Sequence, residues 1–437
     1  MNFSSMPLNA YAMNKTKNKT FSLSIASASA VVVALLLSAC GGGGGSAPAS
    51  NTATPPTAVI PTPPVVVTPT NNVASVVVDS GPTGSSFNAP FVSVTVCQPG
   101  TGNCQTIDHI LVDSGSSGLR LVSPGVMQAS LSLPAVTDST GHAMAECAQF
   151  VSGYTWGSVR KADVKIAGET ASNIPVELIG DSGSVYANTP TSCSSSGSNF
   201  GTVAALGANG ILGVGLFNQD CGQACADMVI PGTYYSCSGS TCSSASLPLE
   251  NQVSNPVASF AADNNGVAVN LSSVASAGVP SLNGTLTFGI GTQSNNQVGS
   301  ATVYKASAAG NFSTTYKSKT YASSFLDTGS NGLYFPDSSI TPCVNSVGFF
   351  CPSSPLSLSA VNTSYDSSSS GTVTFSLVAA DNMAAGTHAA SIGGNSALSN
   401  VGSSSFDWGL PFFYGRTVYV AIENRPTTKG SGPYWAY

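Results

Sequence analysis

Apolar and polar positions divide the chain into an apolar stretch near the N-terminus, a polar low-complexity stretch, and a long body of short apolar runs. The first stretch ends in Val31-Val-Val-Ala-Leu-Leu-Leu37 and follows Lys15, Lys17 and Lys19. It is short, and Gly41–Gly45 come directly after it. That pattern predicts the core of an export signal over 1–39 rather than a spanning helix. Residues 41–85 are mainly Gly, Ser, Ala, Thr and Pro, with Val-rich patches. The prolines favour extended chain, so 40–85 reads as a tether, with Val65–Val67 and Val76–Val78 as candidate edge strands. The folded body is then expected over about 86–437. Within it, an apolar run twice delivers an aspartate: Ile110-Leu-Val-Asp113 and Phe325-Leu-Asp327.

Composition strengthens the β reading. Gly 46 and Pro 26, with abundant Ser, Thr and Val, argue against a helical bundle and for an all-β fold with few short helices and many turns. Charged residues are 7% of the chain, far below the roughly 25% of an average soluble protein. The surface is therefore expected to be Ser, Thr and Asn. Net charge is −6, and no basic run follows Lys19. A nucleic-acid partner is excluded on that ground. The 437 residues allow two or three domains, or one large bilobal one, and 42% hydrophobic content supplies a core.

Leu37-Ser-Ala-Cys40 resembles the bacterial lipobox. The resemblance implies cleavage before Cys40, a lipid on its sulfur and, with Gly41 after the Cys, an outer-membrane lipoprotein facing the periplasm or the cell surface. An ordinary secretory signal is the simpler alternative, and Met13 is a candidate start. Of 11 cysteines, ten remain after Cys40. In an exported protein they read as disulfides. The close pairs are Cys97/Cys104, Cys221/Cys225, Cys237/Cys242 and Cys343/Cys351; Cys147 with Cys193 is the residual pairing. A zinc site at Cys221, Cys225, Cys237 and Cys242 is the weaker reading, since His109, His142 and His388 lie elsewhere in sequence.

The chemistry lies in a repeat. Asp113-Ser-Gly-Ser-Ser-Gly-Leu and Asp327-Thr-Gly-Ser-Asn-Gly-Leu stand 214 residues apart, far beyond a solenoid period. A strand delivers each Asp to a tight turn. Gly115 and Gly329 allow close backbone approach. Backbone N–H groups and the Ser116 or Ser330 hydroxyl can hold the carboxylate, while Ser114 and Thr328 can bond across to the opposite loop. Two carboxyls brought together cannot both ionise cheaply, so they share a proton. One is then a general base for water and the other a general acid.

These loops resemble those of pepsin-like aspartic peptidases, in particular an uncharacterised bacterial lipoprotein family with that fold. The resemblance implies two duplicated lobes with a cleft between them, over 86–296 and 297–437. It also implies peptide hydrolysis by Asp113 and Asp327, no cofactor or metal, and a monomer acting on peptide or protein. Further landmarks agree in order. Asn88–Val96 resembles the strand opening the first lobe. Asn209-Gly-Ile-Leu-Gly213 resembles the segment threading beside the first loop, and Asp407-Trp-Gly409 its counterpart. Gly284–Gln293 resembles the strand that closes the first lobe, and Thr417–Ile422 reads as the strand after Asp407-Trp-Gly409. A flap hairpin is expected some 40 residues after Asp113, returning on Val159–Ile166, with Tyr154 as flap residue, Trp156 next and Phe150 also open. Two departures stand out: Arg120 where an aromatic is usual, and the polar Asp407 before Gly409.

Competing readings are weaker. Gly180-Asp-Ser-Gly-Ser184 reads as a loop, not a serine nucleophile, and Asp263–Gly266 as a loop tip. A binding lipoprotein that keeps the fold without cleaving is the main alternative. A glycosidase would also use paired acids, but the chain shows no aromatic sugar platforms around them.

Overall fold

Short β-branched and aromatic runs, punctuated by Gly, Pro and Asn turns, build nearly all of the regular structure. The computed structural model describes residues 71–396 and 404–437. The export signal, Cys40, the tether before residue 71 and Val65–Val67 lie outside the described residues. Among the described residues, the α-helices are single turns of four or five residues, and the all-β class holds. A 16-stranded sheet carries the first Asp loop, and a 7-stranded sheet the second.

Folded structure begins earlier than composition suggests. Val73–Val78 is a strand paired antiparallel with Leu282–Phe288, Val76 opposite Gly284. On its other side it pairs with Pro90–Cys97. It is therefore an interior strand rather than an edge or a tether, because Val76 and Val78 are buried in the main core. The expected division at 296/297 is also crossed by hydrogen bonds. Thr417–Ala421 pairs with Gly266–Leu271, and Tyr434–Ala436 extends the same sheet.

The two halves repeat one local plan. Cys104–Asp113 runs parallel to Gly210–Val214, with Asp113 opposite Gly213. The strand after the loop, Ser117–Val122, runs antiparallel to the same segment. In the second half, Lys319–Leu326 lies parallel to Asp407–Trp408, and Leu333–Tyr334 lies antiparallel to it. A Cβ on Gly409 would stand 2.0 Å from the Gly332 carbonyl oxygen, so only glycine lets that segment thread beneath the loop. An aromatic stack supports it: Phe406 and Trp408 rings are 4.3 Å apart, and Phe335 and Phe406 are 4.8 Å apart.

All five expected disulfides are present: Cys97–Cys104, Cys147–Cys193, Cys221–Cys225, Cys237–Cys242 and Cys343–Cys351. The zinc alternative is thereby corrected, since its four sulfurs are in S–S bonds. Among the described residues, no helix is long and apolar enough to cross a membrane.

Candidate active site

Each Asp loop binds its own carboxylate and clasps the other loop. The Gly115 N–H donates to Asp113 Oδ1 at 2.8 Å, and the Ser116 hydroxyl donates to Oδ2 at 2.5 Å. In the second loop, the Gly329 N–H donates to Asp327 Oδ1 at 2.7 Å, and the Ser330 hydroxyl lies 2.8 Å from Oδ2. Between loops, the Ser114 N–H donates to Thr328 Oγ1 at 2.9 Å, and the Thr328 N–H donates to Ser114 Oγ at 3.0 Å. Both hydroxyls pass their protons on to the opposite strand, to Val112 and Leu326 carbonyls. Small Ser and Thr side chains at the residue after each Asp make this reciprocal clasp possible. Asp113 and Asp327 are fully buried. A Cβ on Gly115 would stand 2.7 Å from the Asp327 carboxyl carbon, so the loops meet at the carboxyls.

Burial raises the pKa of both acids, and their surroundings separate them. For Asp113, burial is opposed by the bonds from Ser116, Asp327 and Gly115 and by the Arg120 charge. Asp327 is pushed well above the ordinary carboxylate range by burial, then by the charges of Asp113 and Asp407. Asp113 is the better anion and Asp327 the better proton holder.

A hairpin is present in the expected stretch, as Ala143–Gln149 and Gly153–Ile166. Its tip is 150–153, and the flap assignment needs correction. Tyr154 and Trp156 are not at the tip. They pack with Tyr186, Tyr235 and the Cys147–Cys193 bridge. Trp156 Nε1 donates to the Tyr186 carbonyl at 2.9 Å. Strand alternation puts 154 and 156 on the face anchored by that disulfide. The aromatic at the turn is Phe150, packed on Phe200 and Ile211. Val151 beside it reaches the cluster of Phe325, Tyr334 and Phe349 in the second half.

The two departures from pattern are both buried ionisable groups. Arg120 is fully enclosed, with Nη2 2.5 Å from Glu146 and 3.3 Å from Asp220, and Nε 3.4 Å from Glu177. The Tyr234 hydroxyl donates to Asp220 at 2.5 Å, and the Thr155 hydroxyl to Glu177 at 2.7 Å. One guanidinium thus faces three carboxyls, from the hairpin strand, its neighbour and a loop. Burial is the largest influence on all three and raises each; Glu177 reaches about 7. The sequence reading missed this cluster. Its signal was available: Glu146 in Ala-Met-Ala-Glu-Cys-Ala and Glu177 in Ile-Pro-Val-Glu-Leu-Ile are lone acids in apolar strands. The second departure, Asp407, lies 2.7 Å from the Ser330 hydroxyl that also serves Asp327.

The other sequence candidates fall into structural roles. Asp181, in the Gly180–Ser184 loop, pairs with Arg160 at 2.8 Å. His109 and His142 sit against Asp79 and Asp138, and His388 Nδ1 lies 2.9 Å from the Ser86 carbonyl oxygen.

No curated protein matches this chain. The crystal structure of an aspartic proteinase from Irpex lacteus is similar at 18% identity and a TM-score of 0.45, covering 83% of this chain and 96% of that one. A family model described as "Protein of unknown function (DUF3443)" matches residues 68–437. With every described residue inside that match, which covers most of the sequence, the chain belongs to the DUF3443 family.

Proposed function

We propose that this protein is an exported, lipid-anchored aspartic endopeptidase. The observation that carries the reading is the pair of buried carboxyls, Asp113 and Asp327, each held by one N–H and one hydroxyl and locked together by Ser114 and Thr328. Asp113, the better anion, takes a proton from water. That water attacks the peptide carbonyl carbon while Asp327 gives its proton to the carbonyl oxygen. Asp113 then returns its proton to the leaving amine as the C–N bond breaks, and Asp327 recovers one from the diol. Gly115, Ser116, Gly329 and Ser330 hold the carboxylates in place. The hairpin tip at 150–153 is the closing element, with Phe150 rather than Tyr154 at the turn.

Five disulfides fit an oxidising, exported location. The lipobox-like Leu37-Ser-Ala-Cys40 supports an outer-membrane anchor, with the residues between Cys40 and Val73 as the tether. The substrate is a peptide or protein in the periplasm or outside, and the enzyme works as a monomer.

A second reading, an envelope protein that binds peptides without cleaving them, draws on the hairpin. Its aromatic pair Tyr154 and Trp156 is held in a disulfide-anchored cluster, away from the tip. The test is digestion of a diverse peptide mixture by purified residues 69–437 between about pH 3 and 8. Asp113→Asn, Asp327→Asn and a statine-type inhibitor serve as controls. Cleavage abolished by all three is the expected result. Folded protein that cleaves nothing at any pH, yet retains peptides, moves the assignment to the binding reading.

A further inference from the structure

Beneath Asp327, a third buried carboxyl occupies a position where the first half carries an apolar side chain. Ile211-Leu-Gly213 threads under the first loop, and Asp407-Trp-Gly409 under the second. Asp407 therefore stands where Ile211 stands in the first half. It is fully buried, in strand pairing with Phe325 and Tyr334. An apolar residue would satisfy that slot, as Ile211 does. A carboxyl there has a cost that packing does not offset.

Ser330 makes the placement specific. Its Oγ is 2.8 Å from Asp327 Oδ2 and 2.7 Å from Asp407 Oδ2. A hydroxyl has one proton and can donate to only one of the two oxygens. The other contact is a hydrogen bond only if that carboxyl carries a proton and donates it to Ser330. The pair Asp327–Asp407 thus retains one proton for as long as this geometry holds. Asp407 Oδ1 has no hydrogen-bond partner, whereas Asp327 Oδ1 receives the Gly329 N–H. A fully ionised Asp407 would leave a charged oxygen buried and unpaired.

We infer that Asp407 is a positioning and proton-storing residue of the site, sharing one proton with Asp327 through Ser330 and so keeping Asp327 supplied as the acid. This rests on the reading of Asp113 and Asp327 as the catalytic pair. In one configuration Asp407 holds the proton and donates to Ser330, whose own proton points at ionised Asp327. In the other, the Asp407 Oδ2–H bond has broken and a new O–H bond has formed at Ser330 Oγ. The former Ser330 proton is then bonded to Asp327 Oδ2. Two protons move one step each, and the negative charge moves from Asp327 to Asp407. No outside donor is required. When Asp327 has given that proton to the substrate the pair holds none, and the proton that Asp327 recovers from the diol refills it.

The groups facing Asp407 are few. Asp327 and Ser330 come from the second loop and Asp113 from the first. Tyr334 comes from the adjacent strand; its hydroxyl donates to Asn331 at 2.5 Å, and burial holds its proton far above any working pH. Arg120, beyond Asp113, favours ionisation of Asp113. The charges of Asp113 and Asp407 both favour a proton on Asp327. Removing Asp407 removes one of those two pressures. Asp327 then loses its proton at lower pH, and the basic limb of activity moves down.

The test compares wild type, Asp407→Asn and Ser330→Ala in residues 69–437. Asn keeps a donor toward Ser330 but stores no proton. The first readout is the pH profile of kcat/KM for a peptide found in the digest. The expected result is a basic limb lowered by about one pH unit or more in Asp407→Asn. Ser330→Ala cuts the relay with Asp407 intact and removes a donor that favours ionised Asp327, so its limb is expected to move up instead; it carries the comparison if Asp407→Asn does not fold. The second readout needs no activity: titration of the Asp327 side-chain carbon by NMR in protein labelled with carbon-13 aspartate. A midpoint lowered in Asp407→Asn, or raised in Ser330→Ala, supports the inference. An unchanged limb and an unchanged Asp327 midpoint overturn it. Wild type that cleaves nothing overturns the peptidase reading alone, and the NMR titration then decides the proton sharing.

Discussion

The cluster around Arg120 predicts a stability that falls as pH rises, with Glu177 as the cleanest probe. Glu177 is fully buried, its pKa raised from 4.5 to about 7, chiefly by burial and only partly offset by Arg120. Between those values the folded chain binds this proton and the unfolded chain does not. Stability therefore decreases as pH increases through the window, by at most about 3 kcal/mol for this one group. Glu177→Gln removes the titration while keeping the shape. The Gln oxygen can still accept from Thr155, and its NH2 can donate to Glu146. The charge of Glu177 also raises Glu146, so the substitution relieves that acid too. The assay is urea unfolding of residues 69–437, wild type against variant, at about pH 4.5, 6 and 8. The difference between the two proteins isolates this site from other acids such as Asp337, whose depressed pKa works in the opposite sense. Near pH 4.5 the variant should be about as stable as wild type, and by pH 8 it should be the more stable by up to about 3 kcal/mol. Parallel curves with no pH-dependent difference would refute the reasoning. The proton would then be held equally in both states, and the cluster would be balanced by Arg120 alone.

Two further outcomes follow from distances and loop lengths. Replacing Cys147 and Cys193 by Ser opens a bridge with a sequence separation of 46 and should cost about 4 kcal/mol in urea unfolding; opening Cys97–Cys104, separation 7, should cost about 2 kcal/mol. Equal losses would show that chain entropy does not govern these bridges. Gly115→Ala places a Cβ 2.7 Å from the Asp327 carboxyl carbon and should lower peptide cleavage by about 100-fold or more. Gly102→Ala, with open space around it, is the control and should leave cleavage unchanged.

Local chemistry made part of this protein legible from its residues alone. The turn after each Asp is specified within a few positions. Gly, Ser and Thr there can serve a carboxylate, and the duplication says that two such turns exist to meet. The short cysteine pairs are equally local, because a bridge across four to eight residues needs no knowledge of the fold. Even Cys147 with Cys193 followed once the neighbours were paired. Tertiary packing decided what depends on partners distant in sequence. Val73–Val78 has the composition of a linker patch, and it becomes an interior strand because Leu282–Phe288 and Pro90–Cys97 close on both sides. Tyr154 and Trp156 sit near the expected flap position, and a disulfide from Cys193 turns their face inward. Arg120 and Asp407 were visible as departures from a pattern. Their meaning rests on Glu146, Glu177 and Asp220 in one case and Ser330 in the other. Charge in a buried site is set by the groups around it in space, and those groups are assembled only by the fold.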